Sequence, residues 1–342
     1  MSQKTSSERS ASRLTRIVVL ALLAVVPVSL FVATVAQEPA APASEDADTR
    51  IYVCQPDGSG MKLLLEKTEY RMQGSPTWSE DGKLIAFDAW RPGIEEKFTD
   101  AKILIVNADG TGLKVLSDGM MPSFSPRHNR IAFSRQHPNY GVWVMSSEGP
   151  DKELVQIDEH GWGADWSPDG KQIAYALYEG NESNFAVYDI VEGERFLLFE
   201  EGKSPYSNFF WNFSWSPDGR RIAVKAQRAD NEKFELVIID ARGAKHGLVT
   251  RVEEEVTPNV TWTRDSKRVL FSQKTASRNN RVQLYAAAAD TNDAPELLAG
   301  QDPQRANTYA VPSPDGKQLL VVSRKPPEAK AKAAKNKAKK AG

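Results

Sequence analysis

The sequence predicts an all-β fold built from a repeated unit of four antiparallel strands, and two interleaved repeat series carry this prediction. The first series is a phrase centred on Trp-Ser-Pro-Asp-Gly that occurs six times in the 342 residues, with its Ser or Thr at positions 79, 125, 167, 216, 263 and 313. Neighbouring copies are 46, 42, 49, 47 and 50 residues apart. Self-similarity at this period in an all-strand repeat is typical of a β-propeller blade.

Each phrase supplies a tight turn and is followed by a strand. The following apolar runs are rich in β-branched and aromatic residues and too short for helices, and they occupy 84–87, 130–133, 172–175, 221–224, 268–271 and 318–321. Within the turn, Pro sets φ, Asp bonds nearby backbone and Gly takes a positive φ. His128 and Ser266 replace that Gly in two copies, so we expect strained or rearranged turns there, with Asn129 as the candidate left-handed residue in the first.

The second series consists of six further hairpins between the phrases. Their strands occupy 51–54 with 61–65, 103–106 with 113–116, 142–145 with 153–156, 186–190 with 195–199, 236–239 with 247–250, and 284–287 with 296–298. Six inner and six outer pairs predict a six-bladed β-propeller of four-stranded antiparallel blades over 51–323. Because the chain begins with an outer pair and ends with an inner pair, pairing of the N- and C-terminal strands should close it and remove free sheet edges.

The repeat phrase resembles a known family. Trp-Ser-Pro-Asp-Gly-Lys-x-Ile-Ala, followed by Ile-x-Val-x-Asn-Ala-Asp-Gly-Thr-Gly-Leu, is similar to the WD-like propeller repeat of the TolB type across residues 51–323. The resemblance implies the propeller fold. It also implies several functions, because such repeats occur in periplasmic TolB, a protein-binding propeller, in propellers attached to serine peptidases and in some polysaccharide lyases.

The N-terminus predicts export. Basic residues that include Arg13 and Arg16 precede an apolar stretch over 17–36, which is typical of a signal peptide and also long enough to be a membrane anchor. We therefore assign 1–36 to a signal peptide or N-terminal anchor, with Pro27 and the small-residue end favouring cleavage. Residues 37–50 read as a flexible spacer. The expected location is periplasmic or otherwise extracytoplasmic.

Charge is distributed unevenly along a chain whose net charge is -1. The tail over 324–342 holds eight Lys or Arg against Glu328, while 1–16 carries +3 and 37–50 carries -3, which leaves about -8 for the propeller. We expect a disordered Lys/Ala-rich tail that contacts an anionic envelope polymer or membrane, or that only keeps the protein solvated. An acidic body without a base-stacking motif argues against nucleic acid.

Residues typical of catalysis and metal binding are scarce. The four histidines lack the paired spacing of a metal site, no Gly-x-Ser-x-Gly motif occurs, and the single Cys54 excludes a disulfide within the chain. The Asp of each turn recurs with the repeat and is interpreted as structural. No catalytic residue, metal or cofactor is predicted, and we expect a monomer.

The candidate binding residues lie where the inner strands begin. The first residue of each phrase is its tryptophan or the equivalent residue, which we call the anchor. Counting back four and three residues from each anchor gives two matched sets, in which Trp162 and Trp211 belong to the first and Asn212, Asn259 and Tyr309 to the second. Together with the nearby loop, the predicted funnel mouth comprises Trp162, Trp211, Tyr309, His160, Asn212, Asn259 and Met121. An aromatic, amide-rich funnel suits a peptide or a glycan. For the two tryptophans, packing between blades is the alternative.

These observations predict an exported, non-catalytic binding module for a protein or peptide at the cell envelope. The alternative is a glycan-active enzyme, such as a polysaccharide lyase, that uses the same funnel. A histidine cluster with an acid in the funnel would favour the enzyme, whereas an uncharged aromatic mouth would favour binding.

Overall fold

The computed structural model describes residues 48–93, 100–136, 138–179, 182–252, 256–278 and 280–325. The predicted signal or anchor segment, residues 37–47 of the spacer, and the tail beyond residue 325 lie outside these residues, as does His137. Within the described part, the helices are two 3-10 turns at Ala244–His246 and Ala276–Arg278. No helix there has the length and apolar character needed to cross a membrane.

The described residues form 25 strands. The first half of the chain contains β1 Thr49–Cys54, β2 Lys62–Leu63, β3 Met72–Trp78, β4 Leu84–Trp90, β5 Lys102–Asn107, β6 Lys114–Asp118, β7 Met120–Phe124, β8 Arg130–Arg135, β9 Gly141–Ser146, β10 Gly149–Asp158, β11 Gly161–Trp166 and β12 Gln172–Glu179. The second half contains β13 Glu182–Asp189, β14 Glu194–Leu197, β15 Tyr206–Phe209, β16 Ser214–Trp215, β17 Arg221–Arg228, β18 Phe234–Asp240, β19 Leu248–Val252, β20 Thr261–Trp262, β21 Arg268–Thr275, β22 Arg281–Ala288, β23 Glu296–Leu297, β24 Ala306–Pro312 and β25 Leu319–Arg324.

Antiparallel four-stranded sheets dominate, as the sequence predicts. Three sheets run β7-β8-β9-β10, β11-β12-β13-β14 and β20-β21-β22-β23, and a fourth runs β15-β17-β18-β19 with β16 beside β17. The remaining sheet has eight strands, and its two antiparallel parts, β24-β25-β1-β2 and β3-β4-β5-β6, are joined by one parallel pair, Thr49 with Met72. In the first part β1 pairs with β25 over six residues, from Thr49–Arg324 to Cys54–Leu319. The all-β class is confirmed.

The repeated phrase builds the same hairpin turn in five of its six copies. In the first copy the Ser79 hydroxyl donates to Asp81 at 2.7 Å and accepts the Leu84 N–H at 2.9 Å, while Asp81 also accepts the Lys83 N–H at 3.1 Å. Equivalent hydroxyl-to-Asp bonds of 2.6 to 2.7 Å occur at Ser167, Ser216, Thr263 and Ser313. This local network explains why Ser or Thr and Asp recur two residues apart.

Two turns were expected to depart from this pattern, and one expectation about them is wrong. Ser266 takes the left-handed conformation at φ 58 in place of the usual Gly while its turn keeps the common hydrogen bonds, so this turn is strained and not rearranged. In the second copy Arg127 stands where the others have Asp, the turn closes through a bond from the Arg130 N–H to the His128 carbonyl, and Asn129 is not among the residues with positive φ.

The hydrophobic core lies between successive sheets. The anchor tryptophans Trp78, Trp166, Trp215 and Trp262 are at most 8% exposed. One cluster joins β12 and β13 to β15, β17 and β18, and comparable clusters join each of the other neighbouring four-stranded groups, including β24, β25 and β1 with β21 and β22. Burial on this scale supplies most of the stabilisation, because each fully buried large side chain contributes about 2 kcal/mol. The inner strands are thereby held around a common channel.

Candidate functional site

One residue from the inner strand of each four-stranded group lines the centre of this channel. This middle ring consists of Thr77, Ser123, Asp165, Ser214, Thr261 and Val311. Three of its side chains bond the next sheet: Thr77 accepts the Phe124 N–H at 3.5 Å, Ser123 accepts the Trp166 N–H at 3.3 Å, and Asp165 accepts the Trp215 N–H at 2.7 Å. The middle ring therefore fastens neighbouring sheets as well as lining the channel.

Above the middle ring, irregular backbone shapes the channel mouth. The pairing register shifts between Gly74 and Thr77, between Met120 and Ser123, and between Trp162 and Asp165. At these bulges, φ is positive at Ser75, Met121 and Gly163. A β-bulge changes the direction of the strand and its side chains, which is why bulges are frequent beside binding sites.

Gly163 is required by its surroundings. Its φ is 66, and a Cβ at this position would lie 2.5 Å from the Trp211 carbonyl oxygen. Its N–H donates to the Ser134 hydroxyl at 2.8 Å. Glycine therefore allows the segment that carries Trp211 to approach β11 closely.

A polar rim crosses the channel mouth. The Asn212 side-chain amide donates to the Asn259 side-chain oxygen at 2.5 Å, and the Asn259 amide donates to the Thr308 carbonyl at 2.9 Å. The Ser75 hydroxyl reaches the Asn212 side-chain oxygen at 3.5 Å. Three side chains and the Thr308 backbone carbonyl form this rim, so it is a composite of distant sequence segments.

Beside the channel lies a second cavity of about 370 Å³, which we call the side pocket. Its walls are formed by Met120, Met121, Trp162, Tyr178 and Trp211, with Tyr140 and Gln136 at the edge. Met121 and Trp211 also line the channel mouth, so the two spaces adjoin.

The two tryptophans of the side pocket differ in accessibility. Trp162 is 7% exposed and stacks on Tyr140, with 5.1 Å between ring centroids and an 11° interplanar angle. Trp211 is 37% exposed and packs on Phe210, whose ring lies 4.6 Å from the Lys225 ammonium. Trp162 is thus a packed wall, as the packing alternative anticipated, while Trp211 presents surface to solvent.

The structure brings together most of the predicted binding residues. Met121, Trp211, Asn212 and Tyr309 line the channel mouth, Asn259 joins them through its hydrogen bonds, and Trp162 lies in the side pocket.

His160 is placed apart from both cavities. Its backbone N–H is bonded to Asp158, and its half-exposed ring lies 3.7 Å from Glu159. The turn between β10 and β11 holds it there.

Two buried carboxyl groups were not singled out from the sequence: Asp165, which lines the channel, and Asp88, which is bonded to the backbone of the channel residue Met121. Asp88 is 2% exposed and accepts the Met121 N–H at 2.8 Å, and Asp165 accepts the Ser123 hydroxyl at 2.9 Å. Burial raises the pKa of each carboxyl to about 6, although the hydrogen bonds lower it in part. Comparison of the repeats contains the signal, because Asp165 stands where the other copies have Ser, Thr or Val.

Tyr309 shares this environment. Its pKa is raised by burial and by the charges of Asp165 and Asp88. Within the described residues, no three His, Cys, Asp or Glu side chains are grouped closely enough to hold a metal ion. The absence of a metal or cofactor site stays a prediction.

Repeated antiparallel sheets around a lined channel define the chain as a β-propeller. It belongs to the TolB beta propeller domain family, whose model matches residues 130–341.

Individual relatives match shorter segments. The Tol-Pal system protein TolB of Xylella fastidiosa is 32% identical over 83 residues, which are 23% of this chain and 19% of that protein. Dipeptidyl-peptidase 5 of Porphyromonas endodontalis is 28% identical over 108 residues, which are 30% of this chain and 16% of that protein. The chain therefore matches less than a fifth of either relative's length.

A solved structure agrees over a longer span. The putative TolB from Agrobacterium tumefaciens has a TM-score of 0.60 and 17% identity, and the match covers 82% of this chain and 99% of that one. At 17% identity, this structural similarity establishes the fold alone.

Proposed function

We propose that the sheets form a closed six-bladed propeller, with the last blade assembled from both ends of the described chain as β24-β25-β1-β2. The antiparallel pairing of β1 with β25 supports this closure, since it gives β25 a partner on each side. The parallel pair Thr49–Met72 then links two neighbouring blades. Side-chain bonds between blades, such as the Trp78 indole N–H to the Val311 carbonyl at 3.4 Å, point the same way.

The propeller acts as an exported, non-catalytic module that binds a protein or peptide at the cell envelope through the channel mouth. The observation that carries this proposal is the half-exposed Trp211 beside the amide groups of Asn212 and Asn259. A large exposed aromatic next to polar groups is typical of binding hot spots, because the ring buries much area and the amides can pair with a peptide backbone. Membership of the TolB propeller family agrees with this function.

Export and attachment belong to the same proposal. Residues 17–36 direct the chain out of the cytoplasm, and the basic residues beyond Arg324 bind an anionic envelope polymer or membrane. The protein acts as a monomer with no affinity for nucleic acid. N-terminal sequencing of the exported protein distinguishes cleavage near Gln37 from retention of the apolar segment as an anchor.

One observation favours the enzymatic alternative. Asp165, with its raised pKa of about 6, lines the channel together with Tyr309, and a carboxyl group near neutrality in a cavity can act as an acid or base. A glycan-active enzyme would place its reacting bond there. Against this role, both Asp165 oxygens already accept bonds from Ser123 and Trp215 that fasten neighbouring sheets.

The test compares capture of envelope proteins by the full-length wild type with capture by Trp211→Ala and Asn212→Ala. Phe196→Ala is the matched control, because Phe196 is 38% exposed on β14 and lies outside the channel mouth and the side pocket. Loss of one partner with both mouth variants, at native-like thermal stability and with the control unaffected, supports the binding function. Capture that is indifferent to the mouth variants contradicts it. Breakdown of an envelope glycan by the wild type, abolished in Asp165→Asn, would instead support the enzyme.

A further inference from the structure

We propose that the side pocket is a subsite for one neutral aromatic side chain of a bound peptide, whose main chain lies over the polar rim. The proposal rests on the binding function above and adds the chemistry of the ligand. It follows from the shape, charge and composition of the side pocket and from its position beside the channel mouth.

Charge excludes most other occupants. Among the residues that the structure describes, no charged side chain lines the side pocket, and the polar groups at its wall are the carboxamide of Gln136 and the tyrosine hydroxyls. The Tyr178 hydroxyl already donates to the Phe209 carbonyl at 2.6 Å. A cationic or anionic side chain would lose its hydration without gaining a countercharge among these groups, so a neutral group fits better.

The composition favours an aromatic ring over an aliphatic chain. Met120 and Met121 contribute thioethers, which make favourable contacts with the edges of aromatic rings, and Trp211 contributes an exposed indole. The Trp162 part of the wall is fixed, because Trp162 is stacked on Tyr140 and buried. A ring that enters the side pocket would therefore meet groups that interact with its π system.

The position of the side pocket explains why a peptide would present the ring. Met121 and Trp211 form the boundary between the side pocket and the channel mouth. On the other side of this boundary, Asn212 supplies a side-chain amide to the polar rim. A peptide crossing the rim can therefore bond its backbone to the amides while one side chain turns into the side pocket.

The test measures binding of three small probes to the full-length protein by saturation-transfer NMR. The probes are N-acetylphenylalanine amide, N-acetylleucine amide and N-acetyllysine amide. We expect the phenylalanine probe to bind most tightly and the lysine probe not to bind. Trp211→Ala should weaken the phenylalanine probe by about tenfold or more, as for loss of a contact of about 1.4 kcal/mol. Gln136→Glu, which adds a charge with little change of shape, should also weaken it, whereas Phe196→Ala should not.

The outcomes separate this inference from the function on which it rests. Equal binding of all three probes, or binding of the phenylalanine probe that survives both Trp211→Ala and Gln136→Glu, overturns the aromatic subsite. If the subsite fails in this way while Asn212→Ala still abolishes partner capture, the binding function stands with another ligand chemistry. If the probe binds as expected but capture is indifferent to the mouth variants, the subsite stands and the proposed function fails.

Discussion

Asp88 is a buried carboxyl group whose ionisation lowers the free energy of unfolding. Burial raises its pKa from 3.8 to about 6, and the Met121 N–H bond at 2.8 Å offsets only part of this effect. Between these two pKa values the folded protein binds more protons than the unfolded chain. The free energy of unfolding therefore falls as pH rises through this window, and the deficit persists at neutral pH.

The size of this change in the free energy of unfolding follows from the pKa shift of Asp88. A change from 3.8 to about 6 corresponds to about 3 kcal/mol, at about 1.4 kcal/mol for each pH unit. Asp88→Asn removes the charge and keeps an oxygen that can accept the Met121 N–H. The free energy of unfolding of the variant minus that of wild type should therefore be about 3 kcal/mol larger at pH 7 than at pH values below the window.

Urea unfolding of wild type and Asp88→Asn at stepped pH measures this difference. Asp109→Asn is a control of opposite sign, because the hydroxyl and N–H of Thr111 lower the pKa of Asp109. The stabilisation from Asp109 is present at neutral pH and is lost as pH falls. The free energy of unfolding of Asp109→Asn should therefore be lowest relative to wild type at neutral pH. Parallel stability profiles of wild type and Asp88→Asn across the window would refute the account of Asp88.

Three further predictions concern the packing and closure of the propeller. Trp162→Ala should cost about 3 to 5 kcal/mol in urea unfolding because Trp162 is buried, whereas the more exposed Trp211→Ala should cost less than about 1 kcal/mol; equal losses would contradict this assignment. Gly163→Ala should destabilise by about 2 kcal/mol or more, because of its positive φ and the nearby Trp211 carbonyl, and an unchanged melting temperature would argue against it. Deleting residues 51–65 should leave β25 with an open edge and make the protein aggregate, so an unchanged urea midpoint and solubility would exclude closure by β1.

The repeat phrase made the strands and turns predictable because its information is local. Ser79, Asp81 and Gly82 form one turn among themselves, and equivalent residues form the same turn in four of the other five copies. The prediction of a left-handed conformation at Asn129 is wrong, and this is the turn in which Arg127 takes the place of the acceptor Asp. A local rule cannot describe a turn whose key hydrogen bond has been lost.

The channel mouth was predictable in part for the same reason. Trp211, Asn212 and Tyr309 were found by counting from the anchor, since the repeat places equivalent residues at the start of each inner strand. His160 is predicted as a binding residue only because it lies in a neighbouring loop. The turn between β10 and β11 holds it outside the channel mouth and the side pocket.

The side pocket could not be found from the sequence. Gln136 and Tyr140 come from the irregular connection after β8, and Tyr178 lies near the end of β12, outside the positions matched by the repeat. Their convergence with Trp211 depends on how neighbouring sheets pack. The burial of Asp88 is likewise a tertiary effect, since its position varies widely among the copies and holds Lys225 in one of them.

If the channel mouth is the binding surface, a partner must contact it in the cell. Site-specific photo-crosslinking in living cells measures this contact, with a benzophenone side chain placed at position 211 or, as a control, at position 249 on β19. Trp211 and Val249 are similarly exposed, at 37% and 41%, but Val249 lies outside the channel mouth and the side pocket. We predict a discrete cross-linked partner from position 211 that Asn212→Ala removes and position 249 does not yield. The same adduct from both positions, or from position 249 alone, would contradict the claim.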